Sequence, residues 1–232
     1  MSDRSAADVV AALLRVQDTD QLASIRKRLA PDEDAFGMRM RDLFDVAKAH
    51  ADLDHAEIER LLDHPAYEPR LAALCILDFQ ARKPITDNQR ERLYQTYLDR
   101  HDRITTWDMV DRSAPRVVGR HLAGRSSRPL YELAEAAEPL RRRTAITATL
   151  YHARYGTDED LADGFGIADR LAADPEPVVH NAVGIFLKHA GTRDPEALLQ
   201  FLDAHAAAMQ RPALRLAIAK LDPTTRTRYL RS

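Results

Sequence analysis

Four short pieces of this chain carry a basic residue followed two positions later by alanine, each soon after a proline. They are Glu68-Pro69-Arg70-Leu71-Ala72-Ala73, Arg141-Arg142-Arg143-Thr144-Ala145-Ile146, Val178-Val179-His180-Asn181-Ala182-Val183 and Ala213-Leu214-Arg215-Leu216-Ala217-Ile218. A fifth piece, Val110-Asp111-Arg112-Ser113-Ala114, fills the gap in the series, with serine in place of the alanine and an acid in place of the base. The key positions 70, 111, 143, 180 and 215 therefore follow one another at steps of 41, 32, 37 and 35 residues. Self-similarity at such a period is the mark of a repeat architecture.

The rest of the chain says which kind. Apolar residues recur at three and four residue spacing, as in Val9, Val10, Leu13 and Leu14 or Leu161, Ile167 and Leu171, and no segment alternates with period two over a strand length, so the fold class is all-α. Pro31, Pro65, Pro84, Gly124 to Pro129, Pro139, Gly156, Pro175, Gly191 and Pro212 punctuate the pattern into roughly a dozen helices of about 10 to 18 residues. The steps lie in or near the roughly 40 to 47 residues of HEAT-like repeats, which are helical pairs. Each repeated piece is predicted to open the second helix of a pair, its small residue allowing close approach. Stacked pairs make a superhelical solenoid with a concave binding face, and residues 1–232 are expected to form a single HEAT-like repeat domain.

If the basic position faces that side, Arg70, Arg143, His180 and Arg215 line a groove in which Asp111 is the only acid among them. Such a groove follows a phosphate backbone even though the net charge is only −2, because local potential governs encounter. Most of the cations are arginine, whose planar fork suits bidentate phosphate contacts. The competing reading is that these arginines cap or pair with neighbouring repeats.

The single cysteine, Cys75, sits in an apolar run and excludes an internal disulfide; a buried thiol in a reducing cytosol is expected. The N-terminal segment lacks the apolar stretch of an export signal, and no run approaches the roughly 18 apolar residues of a membrane span. A cytoplasmic, nucleoid-associated protein with no membrane partner is expected. His50, His55 and His64 are not spaced as metal ligands and neither phosphate-cradling glycine motif is present, so no metal and no cofactor is expected.

The only tryptophan, Trp107, lies four residues before Asp111, which puts both on one helix face. Thr105 or Thr106 is a candidate N-cap. On spacing alone the pair reads first as a core anchor and a partner of the helix dipole. Asp108 reads as a carboxylate bonded within the first turn.

Thr106-Trp107-Asp108-Met109-Val110-Asp111, continuing through Ala114-Pro115 to Val118-Gly119, resembles the signature of the bacterial AlkD-type alkylpurine DNA glycosylases, a HEAT-like repeat family. Arg142 to Ile146, Val179 to Gly184 and Leu214 to Ile218 resemble its later repeats, and Phe36-Gly37-Met38-Arg39-Met40 its entry region. The resemblance implies hydrolysis of the N-glycosidic bond of alkylated purines in double-stranded DNA without extrusion of the base. It makes Asp111 the catalytic carboxylate and Trp107 the aromatic wall against the deoxyribose. Arg143 is implied as a phosphate contact, and Arg70, His180 and Arg215, by their repeat register, are expected with Arg142 as further DNA-binding residues. A monomer would suffice.

Two positions depart from the family pattern. Ile185, followed by Phe186, stands where a second tryptophan commonly faces the first, and Thr106 replaces the usual asparagine. Both belong to the expected lesion groove. Their change implies either another lesion range, such as bulky adducts of a genotoxic natural product in self-resistance to an antibiotic, or a non-catalytic module that binds damaged DNA.

Overall fold

A computed structural model of the chain describes residues 4–231. Among the described residues every regular element is helical, and the one isolated bridge pairs Asp34 with Ala66. The chain divides into two compact units, residues 1–113 and 114–232.

The first unit contains α1 (Ala6–Arg15), α2 (Leu22–Ile25), α3 (Met40–Ala49), α4 (His55–Leu62), α5 (Tyr67–Arg82), α6 (Asp87–Asp99) and α7 (Trp107–Ala114), the last ending one residue beyond it. The second contains α8 (Arg120–Leu122), α9 (Arg128–Ala134), α10 (Pro139–Tyr155), α11 (Asp158–Leu171), α12 (Pro177–Arg193), α13 (Pro195–His205), α14 (Arg211–Ala217) and α15 (Pro223–Arg231). The repeated pieces open α5, α10, α12 and α14, the second helices of their pairs, and Asp111 falls in the second turn of α7, as their spacing predicts.

Local chemistry sets the helix starts. The Thr86 and Thr157 hydroxyls accept from the backbone N–H three residues on, and their own backbone N–H groups donate to the side-chain oxygens of Gln89 and Asp160, so each box satisfies two otherwise orphaned donors. Proline occupies the first position of α10, α12, α13 and α15, where its missing N–H costs nothing.

In the first unit α3 and α4 pack on α5, which is buried along nearly its whole length. Cys75 lies inside it with no exposed surface, and burial pushes its thiol up to about 12. In the second unit α10, α12 and α14 stack on one another. The alanines of the repeated pieces, Ala72, Ala145, Ala182 and Ala217, are all buried, as close helix approach requires. Fully buried Leu71, Ile146, Phe186 and Leu214 fill the spaces between helices, each stabilising by about 1.5–3 kcal/mol relative to exposure.

Gly191 does not end a helix as its type suggested. It lies inside α12, where a side chain would collide with Leu198 of α13. Gly184 has the same use: a Cβ there would run into the Ala213 carbonyl oxygen of α14.

Many polar bonds span one repeat length. Arg70 pairs with Glu33 across 37 residues, Arg142 with Asp174 across 32, and Arg143 donates to the Val178 carbonyl across 35. Arg103 donates to the Leu62 carbonyl at 2.8 Å, 41 residues away. Arg193 donates to the carbonyls of His152 and Gly156 and pairs with Asp158 at 2.6 Å. Much of the arginine content thus fastens successive helical pairs within each unit.

Gly184→Ala discriminates this packing from a chance glycine. In an exposed helix interior the change gains about 1 kcal/mol; against the Ala213 carbonyl it should instead lose about 1–3 kcal/mol through overpacking. Urea denaturation measures the sign, and a gain would show that α12 and α14 do not meet at that glycine.

Candidate active site

The first turn of α7 is fixed by one carboxylate. Asp108 accepts from the Tyr67 hydroxyl on α5 at 2.5 Å, from the Thr106 hydroxyl at 2.5 Å and from the Met109 backbone N–H at 3.1 Å. The Arg28 guanidinium lies 3.3 Å from the same carboxylate and over the Tyr67 ring. Burial pushes the Tyr67 phenol well above its ordinary range, and the Asp108 charge pushes the same way, so the hydroxyl keeps its proton and donates. Asp108 is therefore a fastening of α7, and its bonds reach beyond the first turn to α5 and to the Arg26–Arg28 turn.

Thr106 is buried and its hydroxyl serves Asp108, while the Thr105 hydroxyl donates to Glu33 at 2.7 Å. Glu33 is the partner of Arg70, so the segment entering α7 is tied both to α5 and to the loop before α3.

With its backbone held there, Trp107 leaves 44% of its surface exposed. The expectation of a core anchor fails for this residue. Trp107 and Asp111 line one cleft of ≈ 320 Å³ with Asp108, Arg28, Arg112 and Phe44. Asp111 is half-buried there. Arg112 stacks over the rings of Phe44 and Phe79, 4.3 and 4.9 Å from their centres, and lies 3.4 Å from the buried Asp78 carboxylate. The cleft therefore sets two carboxylates side by side, one held by Tyr67, Thr106 and Arg28 and the other beside the exposed indole. A fixed negative charge next to an electron-rich ring is an environment for a cation.

The remaining predicted residues lie elsewhere. Arg70 is buried in its pair with Glu33 and does not line an open face. Arg143 is buried and donates to Val178, and Arg142 joins Asp174 and the carbonyls of Ala136 and Ala137. These arginines are committed to neighbouring repeats, because buried guanidinium groups require bonding partners. His180 bonds the Asp174 carbonyl at 2.7 Å. Arg215 is exposed on α14. Ile185 is half-buried on α12, and Phe186 is a core residue against Phe165 and Gly164. Arg28 and Arg112 escaped the sequence reading. The run Arg26-Lys27-Arg28 marks basic character but gives no sign of a partner 80 residues on.

Paired helices in HEAT-like register define a helical-repeat protein, and one of those helices carries the exposed indole and the half-buried acid. The chain belongs to the DNA alkylation repair enzyme family, whose model matches residues 9–221. No curated protein matches it. A solved structure described as a predicted DNA alkylation repair enzyme from Enterococcus faecalis has the same fold, with a TM-score of 0.64 over 88% of this chain and 94% of its own at 13% identity. No helix among the described residues is long and apolar enough to cross a membrane.

Tyr67→Phe should cost about 1.5–3 kcal/mol, the usual value of a hydrogen bond to a charged group. Chemical denaturation would read the loss; unchanged stability would mean that the hydroxyl does not hold Asp108.

Proposed function

We propose that this chain is a monofunctional DNA glycosylase that hydrolyses the N-glycosidic bond of N3- or N7-alkylated purines in duplex DNA. The observation that carries the reading is the half-buried Asp111 beside the exposed Trp107 in one cleft, while Asp108 is held by Tyr67, Thr106 and Arg28. Family membership supports a role in alkylation repair.

An alkylated purine already carries positive charge. When the bond from C1′ to the purine nitrogen breaks, its electron pair neutralises the departing base, so the reaction needs no strong general acid. The sugar becomes oxocarbenium-like, and a fixed carboxylate stabilises that charge. Asp111 supplies it. Water then bonds to C1′ and gives up a proton, which Asp111 accepts. The indole face of Trp107 packs on the deoxyribose and adds cation–π attraction.

By the resemblance to the AlkD-type glycosylases, the lesion is left in the duplex rather than extruded into a closed pocket. An open site of that kind tolerates bulky adducts, including those of genotoxic natural products. Exposed Arg215 is the member of the predicted basic set best placed to meet a phosphate.

A second reading, a module that binds damaged DNA without cleaving it, draws on Ile185 at the position of the second tryptophan. One assay separates the two. Duplex DNA with an N7- or N3-alkylpurine is incubated with enzyme and then heated in alkali to reveal abasic sites. Wild type should release the base, and Asp111→Asn should slow release by about 10²–10³-fold, the usual size of such an electrostatic contribution. Binding of lesion duplex without base release would select the second reading.

A further inference from the structure

The second unit has a cleft of its own, ≈ 560 Å³ in volume, at the C-terminal ends of α10 and α12. Every charged side chain that lines it is basic: Arg116, Arg154, Arg193 and Lys220, beside His189. Its other wall is aromatic. Tyr155 leaves 58% of its surface exposed, the largest value among the exposed large apolar and aromatic side chains Leu14, Trp107 and Tyr155. The Tyr151 ring lies 5.0 Å from it, and the Arg154 guanidinium sits 5.1 Å above it.

These cations are not equivalent. Arg193 closes one wall, bonded to the carbonyls of His152 and Gly156 and to Asp158. The Lys220 ammonium is held at the rim by the Thr192 hydroxyl at 2.8 Å. Burial lowers the pKa of His189, and Lys220, Lys188 and Arg154 lower it further, which marks a positive field at this spot. Cations beside an exposed ring are the combination that binds a nucleotide outside a duplex, the ring stacking on a base and the cations meeting phosphate. The volume falls in the range of about 300–1,000 Å³ typical of small-ligand sites.

We propose that this cleft takes one unpaired nucleotide, its base stacked on Tyr155 and its phosphate held among Arg116, Arg154 and Lys220. The nucleotide belongs to a single strand or is free in solution; the chemistry is shared. Paired bases inside a duplex cannot offer a face to Tyr155, so undamaged duplex should be the weaker ligand. The site requires neither a lesion nor Asp111, so it stands or falls independently of the glycosylase reading.

The full chain is titrated into a fluorescein-labelled single-stranded oligodeoxyadenylate, with adenosine monophosphate and undamaged duplex as competitors. Wild type should bind the strand. Tyr155→Ala should weaken binding about tenfold, as loss of a stacking platform does, and Tyr155→Phe should retain it. Lys220→Gln should reduce the salt dependence. Competition by adenosine monophosphate assigns the site to a free nucleotide, and its failure assigns it to a strand; either supports the proposal. No binding of strand or monophosphate, or equal binding by Tyr155→Ala, overturns it. A 2-aminopurine oligomer tests the unaltered protein: stacking should quench its fluorescence on binding, and bound oligomer without quenching also overturns the proposal.

Discussion

A polar side chain reaching one repeat along the sequence is the interaction on which this structure depends. Close contacts at Gly184 and Gly191 and the buried alanines pack neighbouring helices tightly, and polar bonds one repeat long add directional constraints to that packing. Arg70 with Glu33, Arg142 with Asp174, Arg143 with the Val178 carbonyl and Tyr67 with Asp108 each fix one register. Buried charge adds little net stability even when paired, and removing one partner is costly. A shifted pair would strand a guanidinium or a carboxylate.

The Tyr67–Asp108 bond shows how such a fastening shapes a site. Asp108 is held by a phenol, a hydroxyl, a backbone N–H and the Arg28 charge, and the turn that carries it cannot roll Trp107 into the core. The indole stands exposed, and Asp111 follows one turn later in the same cleft. Two acids three residues apart thus divide the work: one positions, and in our account the other meets the developing cation. Both line the cleft, and it is the bonds Asp108 makes to Tyr67 and Thr106, not its residue type, that set it apart.

The helical pairs were legible in the sequence because proline, base and alanine keep a fixed order at α5, α10, α12 and α14. Asp111 stood out as an acid at a position otherwise basic. What could not be read is where each base finds its partner. The partners of Arg70, Arg142 and Arg143, namely Glu33, Asp174 and the Val178 carbonyl, lie 32 to 37 residues away. Gly191 resembled a helix end for a related reason: its contact with Leu198 is tertiary. Trp107 went the other way, since its exposure follows from bonds made by its neighbours. Arg28 and Arg112 reach the site through contacts with Asp108 and Asp78 that no local pattern announces.

Comparing Asp108→Asn with Asp111→Asn in both folding stability and single-turnover base release, on one alkylpurine duplex, tests the division between the two carboxylates most directly. The account predicts a crossing: the Asp108 change takes the larger share of stability, and the Asp111 change takes the larger share of rate in a protein that still folds. If Asp111→Asn released base at the wild-type rate while Asp108→Asn abolished release without loss of stability, the assignment of the two acids would be contradicted.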